Sequence, residues 1–404
     1  MPRLLHTADW HLGKRLHDFR LLSEQREALQ RLLDVIDAGA PELVVVAGDV
    51  FDVPVPPLSA LESWAWVVEE IVGLRGVPLI AIPGNHDQAE RLAMNAGLTE
   101  RAGLYVRHDL AGAHEPLRVA GVDVFAVPFH KPPRVRALAS GAGADAAAFA
   151  VGGSQEIGDF DYDAAMAWLL ARARAQRDPT VPSVLLAHAF VAGAGEEGEG
   201  EEPLMVGGAG AVAGGTLSGF DYVALGHLHA PRALPNLPTV RYSGSLYPYA
   251  FGETGAKSAT LVHLPDASGG AVEVESAALE VERRVRVVEG VTFERAIRDG
   301  AALREAGDPR VDDYLLVRVS DRDPIDHAQS RLREVYPNSL LEQPVVEVRP
   351  GARSLAVDAR TMSVEDAFLA FYQEVFDEPP GELERELLSE ALAAGDEEGL
   401  VSGS

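Results

Sequence analysis

With 404 residues and a net charge of −27, the chain has room for two or three domains and is too acidic to hold nucleic acid through its whole surface. It has no cysteine, which excludes disulfides, thiolate zinc sites and a cysteine nucleophile. An apolar share of 47% can fill a sizeable core, while no run of ~18 apolar residues predicts a membrane span and residues 1–9 lack the apolar stretch of a signal peptide, so a cytoplasmic setting is expected. In chain order, residues 4–8 predict a short strand ending at Asp9, and residues 23–36 a helix with Leu29, Leu32, Leu33 and Ile36 at helical spacing. Residues 43–47 predict a second strand ending at Gly48-Asp49. Residues 58–74 predict a helix, and residues 77–82 a third strand ending at Pro83-Gly84-Asn85-His86. Strand character returns at 122–127, 183–187, 222–225 and 240–242; residues 140–153 suggest a loop or weak helix, and 193–202 a Glu/Gly loop. Short apolar strands between helices predict an α/β sheet, whose chemistry collects beyond the carboxyl ends of its strands.

After about residue 276 the pattern changes. Residues 281–288, 314–319 and 340–348 predict strands, with helices at 293–306 and 324–335 between them. The tail predicts two more helices, at 363–376 and 382–392, and its charged residues are almost all acidic. The expected division is therefore 1–275, 276–350 and 351–404.

Five segments carry the chemistry, each following a predicted strand: Asp9-Trp-His11, Gly48-Asp49-Val-Phe-Asp52, Gly84-Asn85-His86-Asp87, Ala187-His188 and Gly226-His227-Leu-His229. They supply carboxylate, amide and imidazole donors, a mixture that suits manganese, iron or zinc better than calcium. Two divalent cations held close together activate water and neutralise a phosphate in displacement. Asp9 and His11, two apart on an extended turn, can share one site, and the Asp49 carboxylate has two oxygens with which to bridge. His86 is placed to donate a proton or hydrogen bond to a leaving group, with Asp52 as its orienter. His6, His17, His108, His114, His130, His263 and His327 lie outside these segments and are expected to be structural or superficial; His130, just past a strand end, is the outsider nearest the chemistry.

Thr7-Ala-Asp-Trp-His-Leu-Gly13, the Gly48 and Gly84 segments, Ala187-His-Ala-Phe190, Val223-Ala-Leu-Gly-His-Leu-His229 and the turn Tyr242-Ser-Gly-Ser-Leu-Tyr247 resemble the calcineurin-like metallophosphoesterases and, within them, the SbcD-type nucleases. The resemblance implies a four-layer α/β/β/α sandwich with a small α+β capping domain and C-terminal helices. It implies one metal on Asp9, His11, Asp49 and His229, and another on Asp49, Asn85, His188 and His227, with His86 as the catalytic histidine. The metals would be two manganese ions, with magnesium, iron or zinc as alternatives. The implied activity is exonuclease action on double-stranded DNA and endonuclease action on single strands and hairpins, in repair and recombination. The implied assembly is a homodimer joined to an SbcC-type ATPase as a heterotetramer, with the tail helices docking on the base of the partner's coiled coil. A phosphatase or cyclic-nucleotide phosphodiesterase shares the same metal centre, and a mainly structural DNA-end scaffold is the alternative of another class.

Other surfaces stay open. The apolar stripes of the tail, Val364 to Phe376 and Leu383 to Leu392, fit either their own chain or a partner groove. Leu61, Trp64, Val67, Val68 and Ile71 make either a dimer face or core. Lys14 and Arg15 are placed to meet a phosphate beside the metals or to remain solvated. Arg283, Arg284 and Arg286 either track a DNA backbone or solubilise a strand edge.

Overall fold

The computed structural model describes residues 1–141, 160–194, 210–253, 255–265 and 270–344, and within the tail 363, 366, 368–369, 372–373, 379–381, 384–385 and 387–389. Most of the predicted 140–153 and 193–202 segments, the end of the 340–348 strand and much of both tail helices lie outside those residues. Residues 1–318 and 326–342 form one compact unit, and residues 319–325 and 343–404 form another.

Two six-stranded sheets make the body of the first unit. In spatial order one runs Glu273–Ala278, Ser258–His263, Arg3–Thr7, Leu43–Ala47, Leu79–Ile82 and Leu104–Val106. The last four are parallel, and the first two add antiparallel to the edge. The other sheet runs Arg232–Leu234, Leu237–Tyr242, Tyr222–Gly226, Ser183–His188, Val122–Val127 and Leu117–Val119, parallel through its four central strands. The alternation of side chains along a strand explains the layers. Leu43, Val45 and Ala47 face Val184, Leu186 and Ala224 between the sheets. Val44 and Val46 turn the other way, onto Leu29, Leu32, Val67 and Ile71 of helices Leu22–Gly39 and Leu58–Val68 and the π-helical turn Glu69–Leu74. Leu185 and Ala187 likewise pack on Met166, Leu169 and Leu170 of helix Tyr162–Ala175, which Asp161 caps through the Ala164 N–H. The result is an α/β/β/α sandwich whose central parallel strands, such as Leu43–Ala47, Leu79–Ile82, Ser183–His188 and Tyr222–Gly226, are covered on both faces and are continuous apolar runs.

A three-stranded sheet of Val285–Val291, Tyr314–Val319 and Ser339–Glu342 carries helices Phe293–Glu305 and Ala328–Val335. Val285 and Tyr314 pack with Leu16, Leu21, Tyr247, Tyr249 and Phe251, and Arg283 pairs with Glu24 at 2.5 Å. Three boundaries differ from expectation for local reasons. The predicted 77–82 strand is regular only from Leu79, because Pro78 has no N–H to give, although its carbonyl accepts the Val44 N–H at 2.9 Å. The predicted 324–335 helix starts at Ala328, because His327 has φ +51° and Pro324 precedes it. The predicted 281–288 strand lies at Val285–Val291.

Candidate metal centre

Every parallel strand that carries a sequence-predicted donor ends on the same rim of the sandwich. There the segment from Asp9 to Leu12 runs beside that from Gly48 to Val50: Asp9 N–H donates to Gly48 O, His11 N–H to Asp49 O and Leu12 N–H to Val50 O, at 2.9–3.0 Å. Asp9, His11, Asp49 and His227 all have positive φ, at 54°, 42°, 51° and 115°. Four non-glycine residues in sparsely allowed backbone conformations hold only where surrounding bonds over-determine them, as at functional sites. Two glycines permit close approaches at the rim, one between neighbouring turns of one sheet and one between the sheets. A Cβ on Gly84 would collide with the Asp49 carboxylate, and one on Gly226 with the Ala47 carbonyl.

The structure brings together all seven proposed ligands. Asp9, His11, Asp49, His188, His227 and His229 are buried, and Asn85 is half-buried. His11 Nε2 faces His229 Nε2 at 3.1 Å and lies 3.7 Å from Asp49 Oδ2. That same oxygen is 3.3 Å from His188 Nε2, which meets Asn85 Oδ1 at 2.8 Å; His227 Nδ1 reaches Asn85 Oδ1 at 3.1 Å. Asp49 therefore stands between one lobe of His11 and His229 and another of His188, His227 and Asn85. Asp9 Oδ1 accepts the His227 N–H at 2.9 Å and ties the lobes together.

The ring protons decide whether these residues suit cations. His188 Nδ1 must donate to the Ala47 carbonyl at 2.8 Å, so its Nε2 presents a lone pair to the oxygens of Asn85 and Asp49. His229 Nδ1 donates to Glu253 at 2.9 Å, and His11 Nδ1 faces the Asp52 carboxylate at 3.3 Å; with the ring protons on those nitrogens, two Nε2 lone pairs face each other. Acceptors converging at 2.8–3.3 Å repel unless a proton or metal cation lies among them. The donor set fits divalent cations in both lobes. Among the described residues, the ligand atoms of His11, Asp49 and His86, and of Asp9, Asp49 and His188, lie within 4.8 Å of one another.

His86 sits at the rim of the first lobe, its ring edge-on to His11 with centroids 4.8 Å apart. Its backbone N–H donates to Asp49 Oδ1 at 2.9 Å. Its Nδ1 donates to the backbone carbonyl of Asp52 at 2.8 Å. Asp52 thus holds His86 through its main chain, whereas its carboxylate turns to His11 and to Lys14 at 2.7 Å. Burial opposes ionisation of Asp52, but the hydrogen bonds from His11 and Lys14 outweigh it and hold the pKa down at about 2. Lys14 is consequently engaged beside the centre, and exposed Arg15 closes a local turn onto the carbonyls of His17 and Asp18. Two arginines of the expected DNA track are engaged as well: Arg283 pairs with Glu24 and Arg286 with Asp313.

Several residues support the site in roles that the sequence did not assign, Asp87 among them although it closes the Gly84-Asn85-His86-Asp87 segment. The Asp87 carboxylate accepts the N–H groups of Val50, Phe51 and Gly84 at 2.9–3.0 Å and so fixes both metal-side turns. Burial and the neighbouring Asp49 charge push its pKa up to about 6 against those bonds. Gln25 donates to His11 O at 2.6 Å and accepts from Gly13 N–H at 3.0 Å. Glu253 links His229 to Lys257, at 2.9 and 2.5 Å. Burial raises the Glu253 pKa, yet the His229 bond and the Lys257 charge bring it down to about 2. Of the outsider histidines, His6 is buried between the sheets, and His130 is buried with Nδ1 on the Pro128 carbonyl at 3.0 Å. On helix Leu58–Val68 and its π-helical continuation, Val67 and Ile71 are core and Trp64 packs on Trp10, while Leu58 and Leu61 are exposed, as are Val53 and Val55 in the preceding segment.

Comparison with known proteins places these features among relatives. A family model described as calcineurin-like phosphoesterase matches residues 2–231. The SbcD C-terminal model, described as type 5 capsule protein repressor C-terminal domain, matches residues 281–376. The SbcD component of the SbcCD nuclease of Staphylococcus saprophyticus is 27% identical over 339 residues, covering 84% of this chain and 83% of that one. The solved structure of TT1561 from Thermus thermophilus covers 68% of this chain and 98% of its own, at 15% identity and a TM-score of 0.36.

Proposed function

Because the chain belongs to the calcineurin-like phosphoesterase family, we propose that it is a two-cation nuclease of the SbcD type that hydrolyses DNA phosphodiesters. The observation that carries this reading is the convergence of acceptor atoms in two lobes around Asp49. When bound, a pair of divalent cations, manganese or in its place magnesium, iron or zinc, supplies a nucleophilic water and neutralises charge on the phosphate. His11 and His229 hold one lobe with Asp9, and His188, His227 and Asn85 hold the other. Asp49 serves both. His86, its Nδ1–H held by the Asp52 carbonyl, would act as the imidazolium, giving its Nε2 proton or a hydrogen bond to the leaving oxygen.

An acidic chain needs help to hold a polyanion. Lys14 is already paired with Asp52, so DNA attraction in this reading comes from the cations and from a partner. The partner is an SbcC-type ATPase gripped by residues 351–404, and residues 276–350 cap the DNA. Support comes from the match of the SbcD C-terminal model to residues 281–376. The exposed Val53, Val55, Leu58 and Leu61 support a homodimer face, which gives a heterotetramer with the ATPase. Labelled hairpin and double-stranded DNA, nitrophenyl phosphate and cyclic nucleotides, each incubated with manganese, test the reading. DNA cleavage is expected; hydrolysis of the small esters with DNA left intact points to a phosphatase or cyclic-nucleotide phosphodiesterase. Binding of DNA ends without any hydrolysis points to a scaffold.

A further inference from the structure

We propose that Glu253 and Lys257 are positioning residues that set cation affinity in one lobe of the centre, the lobe of His11 and His229. The proposal rests on the two-cation reading and deepens it. Glu253 and Lys257 are only 9% and 8% exposed, and His229 is fully buried. Glu253 accepts the His229 Nδ1–H at 2.9 Å with one oxygen and Lys257 at 2.5 Å with the other. Lys257 also donates to the backbone carbonyl of His229 and to Ser245 Oγ, both at 2.9 Å, and the Ser245 N–H donates to the same carbonyl at 3.1 Å. The histidine is thus clamped at ring and main chain by one buried ion pair.

Stability does not account for that pair. Two charges taken out of water gain little over an apolar pair of the same size. What the pair does is fix one tautomer and one ring plane, with the Nε2 lone pair aimed at His11. A carboxylate behind an imidazole also makes it a stronger donor to a cation. The lobes differ in this respect. His229 is hydrogen-bonded by the Glu253 carboxylate and His11 Nδ1 faces that of Asp52 at 3.3 Å, whereas His188 Nδ1 donates to the neutral carbonyl of Ala47 at 2.8 Å and stands 3.9 Å from a carboxylate oxygen, Asp9 Oδ1.

The test is a calorimetric titration of the full-length, chelator-stripped protein with manganese alone, alongside circular dichroism. Wild type is expected to bind two ions. Glu253→Gln keeps the shape and the hydrogen-bond acceptor but removes the charge, and should weaken one binding event roughly 10–100-fold while the other stays within about threefold. Glu253→Gln leaves Lys257 buried beside a neutral amide, so E253Q/K257M is made in parallel to remove that burden should the single variant fold poorly; it should show the same one-site loss. Unchanged affinity at both sites, or equal weakening of both, overturns the positioning role. Failure of the wild type to bind two ions instead overturns the two-cation reading on which the role rests.

Discussion

His6 offers a prediction whose size follows from its surroundings. It lies on strand Arg3–Thr7 of one sheet, yet both its partners belong to the other: the Tyr222 hydroxyl donates to Nδ1 at 2.9 Å, and Nε2–H donates to the Leu225 carbonyl at 3.1 Å. It is a polar tie between the sheet that bears Asp9 and Asp49 and the sheet that bears His188 and His227. Complete burial pushes its pKa from 6.5 down to about 3, the Leu225 carbonyl opposing and the Arg241 charge adding. The unfolded chain therefore binds more protons than the folded one between those values. The stability due to neutral His6 is fully present above pH 6.5 and is lost as pH falls toward 3. At about 1.4 kcal/mol per pH unit below the unfolded value, going from pH 7 to pH 5 costs ~2 kcal/mol through this residue. Urea unfolding at both pH values, followed by tryptophan fluorescence, reports it, since Trp10, Trp64, Trp66 and Trp168 all lie in the first compact unit. His6→Gln keeps a donor and an acceptor but does not titrate, so the wild type should lose ~2 kcal/mol more than the variant. Losses that agree within about 0.5 kcal/mol would refute a neutral, non-titrating His6.

The remaining predictions concern the centre and the tail. His86→Ala should lower hydrolysis about 10²–10⁴-fold, the usual share of a general acid, while bound metal stays unchanged; unaltered turnover contradicts its role. Asp49→Asn should weaken both cation-binding events by roughly tenfold or more, because its Oδ2 faces His11 and His188 together; two full sites by metal analysis remove the bridge. Glu253 and Asp52 both have pKa values lowered to about 2 from 4.5 and 3.8, so their stabilisation is present above those ordinary values and is lost as pH falls toward 2. Acid unfolding of Glu253→Gln should accordingly be flatter than wild type below pH 4.5; parallel curves contradict the bonded, ionised state. A chain ending at about Ala359 should keep its hydrolysis and lose co-purification with the ATPase; retained co-purification contradicts the docking role of the tail.

The strands and the ligand turns were legible because both are local. A buried parallel strand is a continuous apolar run, and each ligand follows its strand within a few residues, so one pattern located both. Helix Tyr162–Ala175 was missed although its apolar residues form a core face, because alanine and arginine dilute the spacing. Ser258–His263 and Glu273–Ala278 were missed as well; the latter is largely exposed and owes its strand form to pairing with its neighbour rather than to an apolar run. The supports of the site were illegible for a different reason. Glu253 meets His229 across 24 residues, Gln25 meets His11 from a helix face that resembles any other, and Asp87 bonds backbone groups 36 and 37 positions away. Such contacts exist only once both sheets are stacked. Asp52 shows the same limit: its place beside His86 was visible, but the division of labour between its carbonyl and its carboxylate was not.

In the proposed centre two cations share Asp49. Crystals grown with manganese and measured at its absorption edge test this most directly. Two anomalous peaks are expected roughly 3.5–4 Å apart, one beside His11 and His229 and one beside His188, His227 and Asn85, with the Asp49 carboxylate between them. A single peak, or a pair that leaves Asp49 unligated, contradicts it.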